Sequence, residues 1–237
     1  MRSPRYRFLM MAVGLILAAC GSSPTSIPTT TVVATRAPAA TTSALDPTLA
    51  ITSTAEANAS LLFRLDPAGS EARFVIDEVL GGNPNTVVGA TDQVSGEIQI
   101  ELAAPVQAVV GAIHIQVDGL ATDSSFRDRA IRTFILEASS FPEVVFSPTS
   151  IVGLPDAPLV GQPFSFTITG DLTIRGITRS VTFNVTVTPA SEDRLTGTAS
   201  ATIDRADYRL TIPSVPRVAG VSEQVTLELE FTAVRVP

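Results

Sequence analysis

The chain of 237 residues contains no lysine: all 16 of its basic residues are arginine. Schiff-base chemistry and a phosphate-loop lysine are therefore excluded. Cysteine and histidine occur once each, as Cys20 and His114. That removes disulfides within the chain, cysteine-rich zinc sites, Cys/His nucleophile pairs and paired-histidine metal sites. A Ser/His/Asp triad would have to use His114. Basic charge is also scarce, with 23 acidic residues giving a net charge of -7. Binding along a nucleic-acid backbone needs a basic face, so no nucleic-acid partner is expected. With this inventory the expectation is a protein without a cofactor that is not an enzyme.

What is present begins with an address. Met1 to Arg7 carry three arginines, and the twelve residues Phe8 to Ala19 are almost uninterruptedly apolar. A bilayer span needs roughly 20 apolar residues, whereas a run of this length suits a signal-peptide core. Residues 1–19 are read as that signal. The junction Leu17-Ala18-Ala19-Cys20 resembles the bacterial lipobox, which implies cleavage before Cys20 and a diacylglycerol on its sulfur. An ordinary signal peptide with an incidental cysteine is the competing reading. No aspartate follows Cys20, so sorting to an outer membrane is open where the cell has one. The expected location is extracytoplasmic, in the periplasm or at the cell surface, with the protein anchored to a membrane by lipid. Residues 20–60 are dominated by Thr, Ala, Ser and Pro, with Arg36, Asp46 and Glu56 as their only charges. Such a segment buries too little apolar area to offset its ordering entropy and reads as a disordered tether.

From residue 61 to 237 the dominant pattern is period two. Val94, Gly96, Ile98, Ile100 and Leu102 share one face against Ser95, Glu97, Gln99 and Glu101. Val109 to Val117, Phe164 to Ile174, Val181 to Val187, Leu195 to Ile203 and Val225 to Phe231 repeat it. Shorter strands are expected near Phe63–Leu65 and Ala72–Val79. Such alternation marks strands buried on one face and wet on the other. Eight of them with short turns predict an all-β antiparallel barrel or sandwich. Inward glycines (Gly96, Gly111, Gly170 and Gly197) indicate bending or close backbone approach, and they also leave volume unfilled. Thr122 to Leu136 departs from the rule, with Phe126, Ala130 and Phe134 four apart. It reads as one short helix near one end of the barrel, capped by Thr122 or Asp123 and carrying Asp123–Arg127 and Asp128–Arg132 pairs.

Several segments in register resemble the YceI-like family. They are Phe63-Arg64-Leu65-Asp66 with Ser70 to Phe74, Val88-Gly89 with Val94 to Ile98, and Leu120 to Asp123 with Arg127-Asp128. Phe141-Pro142-Glu143-Val144-Val145-Phe146 and the hairpin Gly170-Asp171-Leu172-Thr173-Ile174-Arg175-Gly176-Ile177-Thr178 complete the set. The resemblance implies an eight-stranded lipocalin-like barrel that binds polyisoprenoid or quinone-type lipids. Two features depart from the family. Arg205-Ala206-Asp207-Tyr208 is followed by Arg209 where the family places glycine, and Pro213 to Val221 is unusually rich in proline.

The candidate ligand contacts are the inward residues Phe74, Ile76, Ile98, Ile113, Ile115, Phe166, Ile168, Phe183, Val185, Leu227, Leu229 and Phe231. They are core in any barrel and become ligand contacts where a cavity exists. Arg127, Asp128 and Arg132 are candidates for a headgroup site at the mouth, or else serve helix capping and surface ion pairs. His114 is expected on the wet face, and Asp171, Thr173 and Thr178 in a turn. Asp204 and Arg205 form either a buried ion pair or a solvated turn. The expected partners are an isoprenoid-type lipid and a membrane, with a dimer among the assemblies left open. The rival to a lipid carrier is a structural or interaction module with a filled barrel.

Overall fold

The computed structural model describes residues 60–101 and 107–237. The signal segment, Cys20, the tether as far as residue 59 and Leu102 lie outside the described residues, while Ser60, assigned to the tether, is the first residue of the sheet.

The chain opens with β1 (Ser60–Leu65), β2 (Glu71–Leu80) and β3 (Asn83–Thr91). There follow β4 (Val94–Ser95), β5 (Glu97–Glu101), β6 (Val109–Val110) and β7 (Ile113–Gln116). After the helix α1 (Ser125–Ala130) come β8 (Glu143–Val152), β9 (Phe164–Ile174), β10 (Ile177–Ser191) and β11 (Arg194–Asp204). A two-residue β12 (Val218–Ala219) and the long β13 (Gln224–Arg235) complete the sheet. All pairings are antiparallel. The hydrogen-bonded order runs β4-β7-β8-β9-β10-β11-β13-β1-β5-β6, and β2 joins β13 beside β1. At its two ends the pairs β4–β7 and β5–β6 are the halves of one hairpin, interrupted at Gly96 and at Gly111-Ala112. The sheet therefore curls back onto its own chain, and the Leu65 N–H donates to the Gly96 carbonyl at that seam.

All eight expected strands are present, two of them divided. Gly96 separates β4 from β5, and Gly111-Ala112 separates β6 from β7. At each break the chain changes partner: β5 pairs β1 while β4 pairs β7. Besides the two-residue β12, two strands that alternation did not mark are present. β3 begins Asn-Pro-Asn after a tight turn at Gly81 (φ 60°) and Gly82 (φ 89°), so its first half reads as loop. In β8 the register slips between Pro148 and Ser150, which breaks the period. Proline in a sheet is tolerated at such a bulge.

The inward glycines do not leave space. A Cβ on Gly197 would lie 2.6 Å from the Phe231 ring, and one on Gly96 would lie 2.4 Å from Ile113. On Gly170 it would meet the Ser147 carbonyl at 2.4 Å. These positions are close approaches filled by neighbours, so the unfilled volume arises elsewhere.

Candidate functional site

The inward faces of the strands enclose a cavity of about 720 Å³. That lies within the roughly 300–1,000 Å³ of typical ligand pockets. All twelve candidate contacts lie on its wall: Phe74, Ile76, Ile98, Ile113, Ile115, Phe166, Ile168, Phe183, Val185, Leu227, Leu229 and Phe231. Phe231, Ile168 and Ile113 are also buried in the packed shell. Phe146, absent from the sequence-derived set, joins the wall and meets Phe183 edge to face at 4.9 Å between ring centres. Its strand, β8, is the one whose bulge hides the alternation.

The two ends of the cavity differ in chemistry. At one end lie α1, the tip of the β2–β3 hairpin and the segment after β11. There the wall includes Glu78, Asp123, Ser124, Arg127 and Arg205. At the opposite end the wall is made by Ile100, Ala108, Leu154, Pro155, Pro158, Val187, Pro189 and Leu195, without a charge. Arg73 and Glu228 belong to the middle of the wall, alternate with inward neighbours, and pair with each other at 3.4 Å.

Glu78 extends the inward row Ala72, Phe74, Ile76 on β2, and its residue is only 8% exposed. Its Oε1 accepts from Asn85 Nδ2 at 3.0 Å and from Arg127 Nη2 at 3.2 Å. Arg127 also holds Asp123, in the turn just before α1. Glu78 was not among the candidates from sequence, although its place in the inward row was readable. The other two mouth candidates have local roles. The Asp128 carboxylate accepts from the backbone N–H and the hydroxyl of Thr122, at 2.7 and 2.6 Å. Arg132 donates to the Leu120 carbonyl at 2.7 Å. The expected Asp128–Arg132 pair is thus replaced by two bonds that close the turn into the helix. Neither residue is on the cavity wall.

The helix is shorter than expected. α1 passes at Ala130 into a wider π-type turn over Ile131–Ile135. Its N-cap is Ser124, with no side-chain bond; Thr122 and Asp123 do not cap it. Phe126 and Phe134 are largely exposed, at 87% and 63%, with Phe126 at the rim of the cavity, while Ile131 is buried. Arg175, in the β9–β10 turn, donates to the Ile135 carbonyl at 3.3 Å and ties the segment across the end of the barrel. The proline-rich stretch folds over the same end. Ile212, Pro213, Val215, Pro216, Val218 and Val221 all line the cavity.

His114 lies on the wet face as expected, with its Nδ1 2.9 Å from Glu143. Thr173 and Thr178 bond each other at 2.8 Å beside the β9–β10 turn, while Asp171 is exposed. Arg205 pairs not with Asp204 but with Glu223, and it donates to the carbonyls of Ser222 and Leu210. Tyr208 is almost completely buried, and its hydroxyl has no hydrogen-bond partner. Burial pushes its pKa up to about 12, Asp207 adds to the rise, and Arg179 opposes it.

A closed antiparallel sheet around one apolar cavity, with a short helix across one end, defines a lipocalin-like barrel. The family model described as YceI-like domain matches residues 63–233. The chain belongs to that family. A UPF0312 protein of Vibrio campbellii is 28% identical over 126 residues, which are 52% of this chain and 62% of that protein's length. Among solved structures, Burkholderia cenocepacia BcnA superposes with a TM-score of 0.57 at 20% identity, covering 72% of this chain and 99% of that one. A polyisoprenoid binding domain from Saccharophagus degradans, implicated in plant cell wall breakdown, gives 0.58 at 17% identity, covering 74% and 99%. The YceI protein of Campylobacter jejuni gives 0.51 at 16% identity, covering 63% and 84%. These likenesses establish the fold.

Proposed function

We propose that this protein is an extracytoplasmic lipid-binding protein that sequesters or carries a long apolar ligand, polyisoprenoid or quinone-like, inside its barrel. The observation that carries the reading is the apolar cavity of about 720 Å³ enclosed by the strands. Each methylene moved from water into such a wall contributes about 0.8 kcal/mol, so an elongated chain gains affinity along its length. The likeness to the polyisoprenoid binding domain of Saccharophagus degradans points the same way. Anchoring through a lipidated Cys20, and an address in the periplasm or at the cell surface, complete the proposal from the first twenty residues. The barrel holds and releases; it transforms nothing.

The rival filled-barrel module requires side chains that occupy the interior, and the volume left between Phe74, Phe166 and Leu229 argues against it. Native mass spectrometry of protein gently extracted from its own membranes is the direct test. Retained lipid with a long apolar chain is the expected result. A protein that carries none, and that takes up no fluorescent polyene afterwards, overturns the proposal.

A further inference from the structure

We propose that Glu78 makes the cavity selective for lipids whose head is a neutral hydrogen-bond donor, an alcohol above all, over the same chain carrying a phosphate. The inference rests on the lipid-binding reading and adds the chemistry of the head. Glu78 faces inward at the polar end of an otherwise apolar wall and is 8% exposed. Both bonds it makes within the protein fall on Oε1. Among the described residues no donor meets Oε2. A carboxylate oxygen is a strong acceptor, and an O–H at the end of a bound chain would pair Oε2.

The cations at the wall point to the same conclusion. Arg127 is committed to Glu78 and Asp123. Arg205 is committed to Glu223 and two carbonyls. Arg73 is committed to Glu71, Glu228 and Glu230. On the wall at the polar end two carboxylates, Glu78 and Asp123, stand beside two guanidinium groups, Arg127 and Arg205, each already paired. A phosphate entering there would meet no spare cation on the wall, and Arg127 would have to loosen its bond to the buried Glu78 to hold it. Leaving a buried charge unpaired is heavily unfavourable. A head that donates a hydrogen bond and carries no charge meets neither obstacle.

The test uses the whole protein and three ligands that share one chain: geranylgeraniol, its methyl ether and its monophosphate. Each competes with a bound fluorescent polyene. The alcohol is expected to bind about tenfold more tightly than the ether, which has no proton to donate, and more tightly than the phosphate. Glu78→Leu should abolish the advantage of the alcohol over the ether. Glu78→Gln, which removes the charge, should narrow the gap to the phosphate. If alcohol and ether bind the unaltered protein equally, or the phosphate binds most tightly, the inference is overturned whatever the variants do. If none of the three displaces the probe, the lipid-binding reading itself falls.

Discussion

Phe231 on β13 and Gly197 on β11 are direct partners across their ladder, and the aromatic ring occupies the place where a side chain on residue 197 would stand. Adding one methyl group there would press on the ring tip and on the Thr186 carbonyl, each at 2.6 Å. The carbonyl belongs to the backbone and yields little. Gly197→Ala should therefore destabilise the barrel by about 1–3 kcal/mol, the usual penalty of overpacking. Urea unfolding measures it. An unchanged midpoint would mean that the ring swings into the cavity instead, and probe affinity would then fall.

Tyr208 should titrate late and add alkaline sensitivity to the fold. Its folded pKa is about 12, raised first by burial and then by Asp207, against the ordinary value of 10. A raised folded pKa contributes stability that is fully present below pH 10 and is lost as the pH rises towards 12. Tyr208→Phe should remove that decline. Because the hydroxyl is buried without a partner, the same change should leave stability at neutral pH unaltered or slightly higher. Thermal melting between neutral pH and pH 12 tests both statements.

Arg209 adopts φ 52°, in the left-handed region, immediately after Tyr208. A side chain in that region is strained by roughly 1–2 kcal/mol. Arg209→Gly removes the strain and gives back part of the gain by loosening the unfolded chain, for a net stabilisation of about 0.5–1 kcal/mol. Its bonds from and to the chain are backbone bonds and survive the change. A lower melting temperature in the variant would show that the guanidinium does more than the geometry assigns it.

Ala199 offers a way to fill the cavity without touching its polar end. It lies on the wall, on β11, between Val185 on β10 and Leu229 on β13. Ala199→Leu should lower polyene affinity severalfold while changing stability by less than about 1.5 kcal/mol, since the added methylenes enter open volume. Fluorescence titration and thermal melting, run on the same sample, separate the two effects.

The barrel was legible in the sequence wherever a strand is wet on one face and dry on the other. β9, β10, β11 and β13 satisfy that condition along most of their length, and their inward residues were readable. β8 showed only through the family resemblance of Phe141 to Phe146, because a bulge after Pro148 breaks its alternation, and Phe146 was not assigned to the wall. β3 was hidden by its Asn-Pro-Asn opening, which mimics a turn. The glycines were seen but half misread: sequence shows a missing side chain and cannot show that a phenylalanine on another strand fills the gap. Glu78 was missed because acidic residues in alternating strands are usually solvated, and its partner Arg127 arrives from a helix 49 positions away. Arg127, in turn, was picked for the mouth and lies on the wall, while Asp128 and Arg132, picked by the same reasoning, went to the turn.

β13 pairs with β11 along one edge and with both β1 and β2 along the other. The first and last strands of the domain are thus joined to each other. Without β13 in place, β1, β2 and β11 would each expose an unpaired edge and the ring could not close. Contacts between such distant parts of a chain form slowly. Closure of the barrel therefore waits on β13, and a cavity enclosed on all sides exists only once that strand has docked on β1, β2 and β11.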